Sequence, residues 1–389
     1  MSDRTVTFSE LASENLLEFG AGRPRSVLSD QYLSLPILRV ADVLDGRIES
    51  SFQGYVPNSC REAVGPKISK PGDVVLTAKG TVGRVALMPS DGPAFAYSPQ
   101  LCYFRPAANG PLRRRYLYYW FKSADFWNQA DALKGQTDMA DYLSLADIHS
   151  LKIRIPSLDQ QADVVNVLGS LDDKIAVNDR IVNSSSSIRQ ALYACAVQEG
   201  GSEIHLEDVA VFHNRLRKPL SSRDRSAFQG VYPYYGANGV VDSVGNFIFD
   251  GSYLLVGEDG TVVTKSGSPI VHVAHGKFWV SNHAHVLAGM NISNELLHEA
   301  LSVADIRPLI TGAVQPKVSM GSLKKLPLVL PSAARRVALE QKLAHFEKMA
   351  RLKISENCAL SELRDALLPR LMSGEIKLRD AEIVAKGLV

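Results

Sequence analysis

The stretch LKIRIPSLDQQ, from Leu151 to Gln161, decides the architecture of this chain because it occurs a second time. A close counterpart, LPLVLPSAARR, runs from Leu326 to Arg336, and the two begin 175 positions apart. In both copies apolar residues alternate as in a short strand, a Pro-Ser pair ends the strand, and a long helical pattern follows. The same strand-to-helix junction therefore occurs twice in one protein.

The repeat extends to both sides of this junction. Downstream, Leu168 and Arg189 correspond to Leu343 and Arg364, again at an offset of 175. Upstream the offset is near 180, and the matching segments are PGDVVLTAKGTVG (71–83) with DGSYLLVGEDGTV (250–262), and YLYYWFKSADF (116–126) with LLHEALSVADI (296–306). The starts also agree, since FSELA at Phe8 resembles LEDVA at Leu206. The chain is one unit of roughly 190 residues written twice, which predicts a pseudo-twofold protein.

Each copy of the repeat has two parts. The first part contains short β-branched runs, glycine-containing turns and a helix, which is typical of a mixed α/β domain. The second part is a single long helix. We therefore predict an α+β fold in which two pseudo-twofold-related mixed domains are separated by two long antiparallel helices. The predicted boundaries are 1–157 for the first domain, 158–200 for the central helix, 201–332 for the second domain, and 333–389 for the C-terminal helix and tail.

The two predicted long helices, about Leu158 to Gln198 and about Ala333 to Met372, each carry an apolar stripe with spacings of three and four. A helix of forty residues is about 60 Å long. Alone in water it would expose this stripe, so we expect the two helices to pack on each other along a seam. The seam residues are Leu168, Leu171, Ile175, Leu343, Phe346 and Leu367. Polar seam positions fix the register, face other subunits, or reflect imperfect packing; they are Asn178, Ser185, Lys353 and Asn357.

Bulk composition fits an intracellular protein of two or more domains. The chain has 389 residues, of which 46% are hydrophobic and 22% charged, with a net charge of +2. Its four cysteines lack the spacing of a disulfide framework or a zinc site. The N-terminus lacks the apolar core of a signal peptide, and no long apolar run is present. We expect a soluble, cytoplasmic protein without a membrane segment.

Taken together, the repeated junctions, the opening of the second domain (YPYYGANGVVDSVGNFIFDGSYLLVGEDGTV) and the terminal LRDALLPRLMSGEI give the chain a family resemblance. Over essentially its whole length it resembles the specificity subunit of type I restriction–modification systems. In that family each globular part is a target-recognition domain that reads one half of a split, asymmetric DNA sequence. The helices form a spacer that also docks two methyltransferase subunits. The mild basic charge and the Ala-Ala-Arg-Arg of the second junction are departures from this pattern.

The resemblance implies double-stranded DNA, two methyltransferase subunits and restriction–translocase subunits as partners. It also implies that this chain is not an enzyme and holds no cofactor, whereas S-adenosylmethionine, ATP and Mg²⁺ belong to the partner subunits. The sequence agrees, because it contains no GxxxxGK[ST] loop and no Asn-Pro-Pro-Tyr methyltransferase motif. Two recognition domains held at a fixed distance by the long helices would recognise two short DNA sequences and the distance between them.

Target readers need Arg, Lys, Asn or Gln presented to base edges, with further cations on phosphates. Polar, glycine-rich loops of this kind occur at aligned places in both halves: TAKGTVGR and LKGQTDM in the first, and GEDGTVVTK and TGAVQPK in the second. The segment YPYYGANG has two interpretations. Tyr234 and Asn238 either contact DNA bases, or they are a buried tyrosine and an asparagine in a turn. The candidate DNA contacts are Lys79, Arg84, Lys134, Gln136, Thr137, Tyr234, Asn238, Lys265, Gln315 and Lys317.

Two other classes of function remain open. A metal-dependent nuclease or DNA-modifying enzyme would use the Asp-Asp-Lys group at Asp172, or histidines among His272, His275, His283 and His285. We interpret the former as a solvated helix face and the latter as surface or DNA-facing side chains. Arg113 to Arg115 similarly indicate a solvated, basic helix start, with phosphate contact as the alternative. The remaining class is a pseudo-symmetric adaptor that binds only proteins.

Overall fold

The chain forms two compact units. The computed structural model describes residues 4–22, 34–49, 53–136, 141–312 and 315–376. The first unit comprises Met1–Ala176 and Asn357–Val389, and the second comprises Val177–Glu356. Both unit boundaries fall inside long helices, so each unit combines one mixed domain with one half of each helix.

The first unit contains thirteen strands within its described residues. They are β1 (Arg4–Thr7), β2 (Leu17–Ala21), β3 (Ser34–Leu38), β4 (Val43–Leu44), β5 (Arg47–Ile48), β6 (Tyr55–Pro57), β7 (Val74–Thr77), β8 (Val85–Leu87), β9 (Ala96–Tyr97), β10 (Leu101–Pro106), β11 (Gly135–Gln136), β12 (Asp141–Tyr142) and β13 (Lys152–Ile155). Its shorter helices are α1 (Phe8–Ser13), α2 (Arg61–Val64), α3 (Arg114–Phe121), α4 (Ala124–Leu133) and α5 (Leu145–Ser150).

A four-stranded sheet in the order β2-β10-β7-β8 organises this unit, together with a three-stranded sheet, β6-β3-β9. The core beside the four-stranded sheet is rich in aromatic rings. Phe8 lies 5.7 Å from Phe104 and 5.4 Å from Trp120, measured between ring centroids. Edge-to-face and tilted contacts of this kind stabilise a core beyond the apolar area that they bury.

The second unit is built around one six-stranded sheet, in the order β15-β20-β18-β19-β16-β17. Its strands are β14 (Gly201–His205), β15 (Ala210–Phe212), β16 (Gln229–Gly236), β17 (Gly239–Val244), β18 (Phe249–Gly257), β19 (Val271–Val280), β20 (Ala284–Gly289) and β21 (Pro327–Pro331). Its shorter helices are α7 (Ser222–Ala227), α8 (Asn294–Val303) and α9 (Met320–Lys324). Helix α8 contributes Leu296, Leu297 and Leu301, all buried, to the core beneath the sheet.

The two long helices are confirmed. After α5, helix α6 runs from Leu158 to Gln198, and after α9, helix α10 runs from Ala333 to Ser373. Ser157 caps α6 as predicted, because its hydroxyl accepts a hydrogen bond from the Gln160 backbone N–H at 3.3 Å and the Gln160 side chain accepts one from the Ser157 N–H at 3.1 Å.

The repeated junction has the same geometry in both units. In the first, β1 pairs antiparallel with β13, and the Phe8 N–H donates to the Leu151 carbonyl at 3.0 Å. In the second, β14 pairs antiparallel with β21, and the Leu206 N–H donates to the Leu326 carbonyl at 3.0 Å. The start of each domain is therefore bound to its end, immediately before the long helix begins.

Different side chains also make the same contact at this junction. The Gln161 amide donates to the Pro156 carbonyl at 2.9 Å, and the Arg336 guanidinium donates to the Pro331 carbonyl at 2.8 Å. Gln161 and Arg336 are 175 positions apart, and so are Pro156 and Pro331. The carbonyl of the proline before each long helix thus accepts a side-chain hydrogen bond, from a long amide in one copy and from a guanidinium in the other.

Within each unit the two helix halves run antiparallel. In the first unit, the Arg364 guanidinium donates to Asp172 at 3.0 Å and the Asn357 amide donates to the Ile175 carbonyl at 3.5 Å, so positions rise on one helix as they fall on the other. In the second unit, Arg189 pairs with Glu347 near one end and Glu199 with Arg335 further along.

Every position of the predicted seam is buried or half-buried. Leu168, Leu343 and Leu367 are buried, whereas Leu171, Ile175 and Phe346 are half-buried. Its polar positions are covered as well, with Asn178 and Ser185 buried.

The charges that the sequence predicts to be solvated are in part exposed and in part paired. Asp173, Arg113 and Arg114 are exposed, whereas Asp172 and Arg115 are partly covered. Asp172 accepts a hydrogen bond from the Tyr119 hydroxyl at 2.7 Å besides its pair with Arg364, and Asp173 pairs with Arg115 at 2.5 Å. Arg114 and Arg113 also donate to protein carbonyls, those of Pro71 and Leu158.

Candidate nucleic-acid interface

In the first unit, the predicted loop TAKGTVGR lies beside a second segment of the same domain. The loop that follows β7 meets the segment that precedes α5, because the Leu143 N–H donates to the Ala78 carbonyl at 2.8 Å and the Gly80 N–H to the Asp141 carbonyl at 3.1 Å. Gly80 has a φ of +89°, a conformation that favours glycine. The turn presents Lys79 to solvent.

The same loop pair recurs in the second unit. The Val318 N–H donates to the Glu258 carbonyl at 2.9 Å, and the Gly260 N–H donates to the Pro316 carbonyl at 3.0 Å. Gly260, at a φ of +79°, takes the place of Gly80. We call these two structures the paired loops; they comprise residues 78–84 with 141–143, and residues 258–265 with 315–318. Segments far apart in sequence are thus brought together in both domains by equivalent hydrogen bonds.

The candidate residues of the first domain differ in availability. Lys79 is exposed, whereas Arg84 is half-buried and its backbone N–H donates to the Thr77 hydroxyl at 2.9 Å. The Lys134 ammonium lies 3.1 Å from Asp141 and 3.2 Å from Asp131, and hydrogen bonds to these two carboxylates raise its pKa. Lys134 is therefore already paired within the protein.

Two further candidates of the first domain complete this set. Gln136 lies in β11 and pairs with Asp141 in β12, beside the paired loops. Thr137 lies outside the described residues.

In the second domain, most candidates lie at the surface around the paired loops. Lys265 and Gln315 are exposed, and the Lys317 ammonium lies 3.6 Å from Glu258. Asn238 is exposed in the two-residue turn between β16 and β17. This turn adjoins the paired loops. A Cβ placed on Gly257, which precedes Glu258, would lie 3.3 Å from the carbonyl oxygen of Ala237, the first residue of the turn.

Tyr234 occupies a different position from the other candidates. Its ring is only 2% exposed, and its hydroxyl accepts a hydrogen bond from the Leu220 N–H at 3.0 Å. The Arg225 guanidinium carbon lies 5.1 Å from the centre of the ring. Tyr234 is thus a buried tyrosine, as the second interpretation predicted, and it fixes the segment that contains Leu220.

The histidines do not converge on a metal site. Within the described part of the chain, no three His, Cys, Asp or Glu side chains are grouped as metal ligands would be. His283 is exposed and its Nδ1 lies 2.9 Å from Asp259. The expectation that all four histidines are at the surface is wrong for His285, which is fully buried between the Val318 carbonyl and the Asn214 amide. Burial lowers the pKa of His285.

Sequence reasoning missed the segment that leads from β15 to β16. Between Arg215 and Arg225 it carries five basic residues and one acidic residue. The Arg217 guanidinium donates to Glu258 at 2.8 Å, which joins this segment directly to the paired loops. The local excess of positive charge was the available signal, and the small net charge of the whole chain concealed it.

Two mixed domains, each ending in the same strand-to-helix junction and each presenting the same paired loops, define a two-domain recognition protein. A family model described as the type I restriction modification DNA specificity domain matches residues 61–184 and 199–348. The chain belongs to this family. It is a type I restriction–modification specificity subunit with two target-recognition domains.

Individual relatives agree with this assignment. A putative type I restriction enzyme specificity subunit of Haemophilus influenzae is 34% identical over 135 residues, which are 34% of this chain and 34% of that protein. The match thus spans about a third of that relative's length. The EcoprrI specificity subunit of Escherichia coli is 22% identical over 337 residues, covering 81% of this chain and 80% of its own.

A solved structure shares the fold. The S subunit of a type I restriction–modification system from M. genitalium superposes with a TM-score of 0.57 at 15% identity, covering 95% of this chain and 96% of the other.

In the described ranges, none of the helices has an apolar stretch of the length that a bilayer crossing requires.

Proposed function

We propose that each mixed domain reads one half of a bipartite, asymmetric DNA target, and that the paired loops carry the base contacts. The observation that supports this most directly is that the same two hydrogen bonds hold the paired loops in both units. A device duplicated at the same place in two domains fits two half-sites better than one composite site. The unread bases between the half-sites would be those that no side chain reaches.

The chemistry of the paired loops suits base edges. Lys79 is an exposed cation beside a glycine turn, and the second unit presents exposed amides at Gln315 and Asn238. Lysine recognises guanine O6 and N7, and an asparagine or glutamine amide recognises adenine N6 and N7. Glycines at the tips allow the backbone to approach the groove closely.

We infer that this chain has no catalysis of its own and that methyltransferase and restriction–translocase subunits supply it. The residues that an enzyme would have needed are otherwise engaged: Asp172 and Asp173 are bound by Arg364 and Arg115. On this proposal S-adenosylmethionine, ATP and Mg²⁺ act in the partner subunits, and double-stranded DNA is the ligand of this chain.

We further propose that the outer faces of α6 and α10 dock the two methyltransferase subunits. The seam residues are largely covered within their own units, which makes them packing positions. Large apolar side chains remain exposed elsewhere on the two helices, at Val177, Ile188, Leu352 and Ile354. Exposed apolar positions of this kind are suited to binding another protein.

The test is a domain exchange in the reconstituted methyltransferase complex. Replacing residues 1–157 with the equivalent part of another specificity subunit should change one half of the methylated sequence and leave the other half intact, as read by long-read sequencing of modified adenines. Replacing residues 201–332 is the matched control and should change the opposite half. If either exchange altered both halves, or if the complex bound DNA without any salt dependence, the two-reader proposal would fail.

A further inference from the structure

The segment from His213 to Phe228, between β15 and β16, combines free positive charge with an irregular path. Two of its arginines are used internally, since Arg217 pairs with Glu258 and Arg225 pairs with Asp242, each at 2.8 Å. Three further cations are exposed and have no acidic partner within the described residues. We call them the cationic strip; they are Arg215, Lys218 and Arg223.

Hydrogen bonds from the sheet hold this segment in place on the N-terminal side of its helix, α7. The indole N–H of Trp279 donates to the Lys218 carbonyl at 2.6 Å, and the buried Tyr234 hydroxyl accepts from the Leu220 N–H at 3.0 Å. The Asn214 amide oxygen accepts from the Val286 N–H at 2.9 Å. Anchors from three strands of the sheet fix the backbone from which the exposed cations project, which keeps the entropic cost of binding low.

The remaining contacts of Arg217 complete this attachment. Its guanidinium donates to the carbonyls of Ala284 at 2.7 Å, Asn214 at 3.1 Å and Asn282 at 3.2 Å. A side chain that is largely buried and makes three such bonds is a structural tether, so Arg217 belongs to the support and not to the exposed strip.

The acids around the cationic strip contact other groups. Glu258 is shared by Arg217 and Lys317, and Asp259 lies 2.9 Å from the Nδ1 of His283. Asp224 accepts a hydrogen bond from the Ser221 hydroxyl at 2.7 Å as part of a capping box. None of these three acids forms an ion pair with the cationic strip, and Glu258 joins the strip to the paired loops of the same unit through Arg217.

We propose that the cationic strip binds the phosphate backbone of DNA while the paired loops of the second domain contact the bases. This inference rests on the proposed function and assigns the positioning contacts within it. Cations without acidic partners, held on a fixed backbone next to polar loop tips, match the division in which phosphate contacts position a protein and base contacts specify the sequence. Release of condensed counterions would then make binding depend strongly on salt.

The experiment measures the affinity of the reconstituted complex for target and non-target duplexes by fluorescence anisotropy, between about 50 and 200 mM salt. The variants are R215Q, K218Q, R223Q and the triple combination. Each substitution that removes a phosphate contact should reduce the slope of log affinity against log salt by about 0.9, and the triple variant should show nearly three times that reduction. Target and non-target affinities should fall together, and the methylated sequence should not change.

The matched control is Lys325→Gln, which removes an exposed lysine from the turn after α9. Its salt slope should equal that of the wild type. An unchanged slope in the triple variant, with wild-type binding still specific and salt-dependent, would overturn this inference and leave the proposed function standing. A change in the methylated sequence would also overturn it, because the strip would then read bases. If the wild-type complex showed no salt-dependent DNA binding, both proposals would fail.

Discussion

At the scale of single residues, a buried ion pair holds the first domain together where β7 begins. Arg105 donates to Asp73 at 2.7 and 2.9 Å and to the carbonyls of Pro66 and Ile68, each at 2.6 Å. The Tyr97 hydroxyl also donates to Asp73, at 2.6 Å. Burial, together with the Asp73 charge, raises the pKa of Tyr97, so the hydroxyl keeps its proton and continues to donate. One carboxylate thus satisfies two buried donors.

Asp73→Asn should destabilise the chain by up to about 3–5 kcal/mol, because it removes the buried counter-charge of Arg105 and leaves only the half-exposed Glu18, at 3.0 Å. Tyr97→Phe removes one hydrogen bond while keeping the ring, and should cost only about 1 kcal/mol. Urea unfolding followed by circular dichroism measures both. Equal effects of the two substitutions would contradict the assignment of the ion pair as the principal contribution.

His285 gives the second domain a pH dependence whose direction is fixed by its burial. The lowered pKa means that the folded state resists protonation, while the unfolded chain takes up a proton near the ordinary value of 6.5. Its contribution to stability is therefore complete above about pH 6.5 and is lost as the pH falls from that value towards the folded pKa. Glu258, which favours the charged form, opposes this shift, whereas Arg217 and Lys317 add to it.

We expect the unfolding free energy to decrease below about pH 6.5 and the decrease to be smaller in His285→Asn. The decrease in unfolding free energy should not vanish in the His285→Asn variant, because burial also lowers the pKa values of His272 and His275. Urea unfolding at a series of pH values measures the effect. A steeper decrease in the variant than in the wild type would show that His285 is protonated in the folded state.

At the scale of elements, the two long helices form an equivalent ion pair in each unit, but the helix that carries the acid in one unit carries the base in the other. In the first unit the acid is Asp172 on α6 and the base is Arg364 on α10; in the second the acid is Glu347 on α10 and the base is Arg189 on α6. Both acids and both bases are related by the offset of 175. Burial alone would lower the pKa of Arg364, but hydrogen bonds to Asp172 and Asp365 outweigh it and raise that pKa.

A double-mutant cycle on Asp172→Asn and Arg364→Gln should give a coupling energy of about 1–3 kcal/mol, because the pair is mostly covered. Asp173→Asn with Arg364→Gln is the control; Asp173 pairs with Arg115 instead, and those two effects should add. The measurement is urea unfolding of the four proteins in each cycle. Additive effects for Asp172 and Arg364 would mean that their contact does not contribute to stability.

At the scale of the whole molecule, the proposed function implies that the length of the long helices sets the distance between the two half-sites of the DNA target. Inserting one helical turn, about 5.4 Å, into both α6 and α10 should widen the unread gap of the target by one or two base pairs at about 3.4 Å each, with both half-sequences unchanged. The same number of residues inserted at the exposed turn around Asp91 is the control and should leave the gap unchanged. Sequencing of modified adenines reports both results, and altered half-sequences would show that the helices do not set the distance.

The sequence by itself determined the repeat, the strand-to-helix junctions and the extent of both long helices. These features depend on residues close together in the chain: alternating apolar residues form a strand, Pro156 ends it, and Ser157 caps the helix that follows. Constant offsets then carried the same interpretation to the second copy.

Only the tertiary structure decided which polar residues are available for binding. Asp172 and Arg115 were predicted from the sequence to be solvated but are paired, His285 is buried, and Tyr234 supports a loop from within the core. The cationic strip, in contrast, became visible once Arg217 and Arg225 were known to be paired and Arg215 was not. The physical reason is that burial and charge pairing depend on neighbours brought in from distant parts of the chain, and a local pattern carries no record of them.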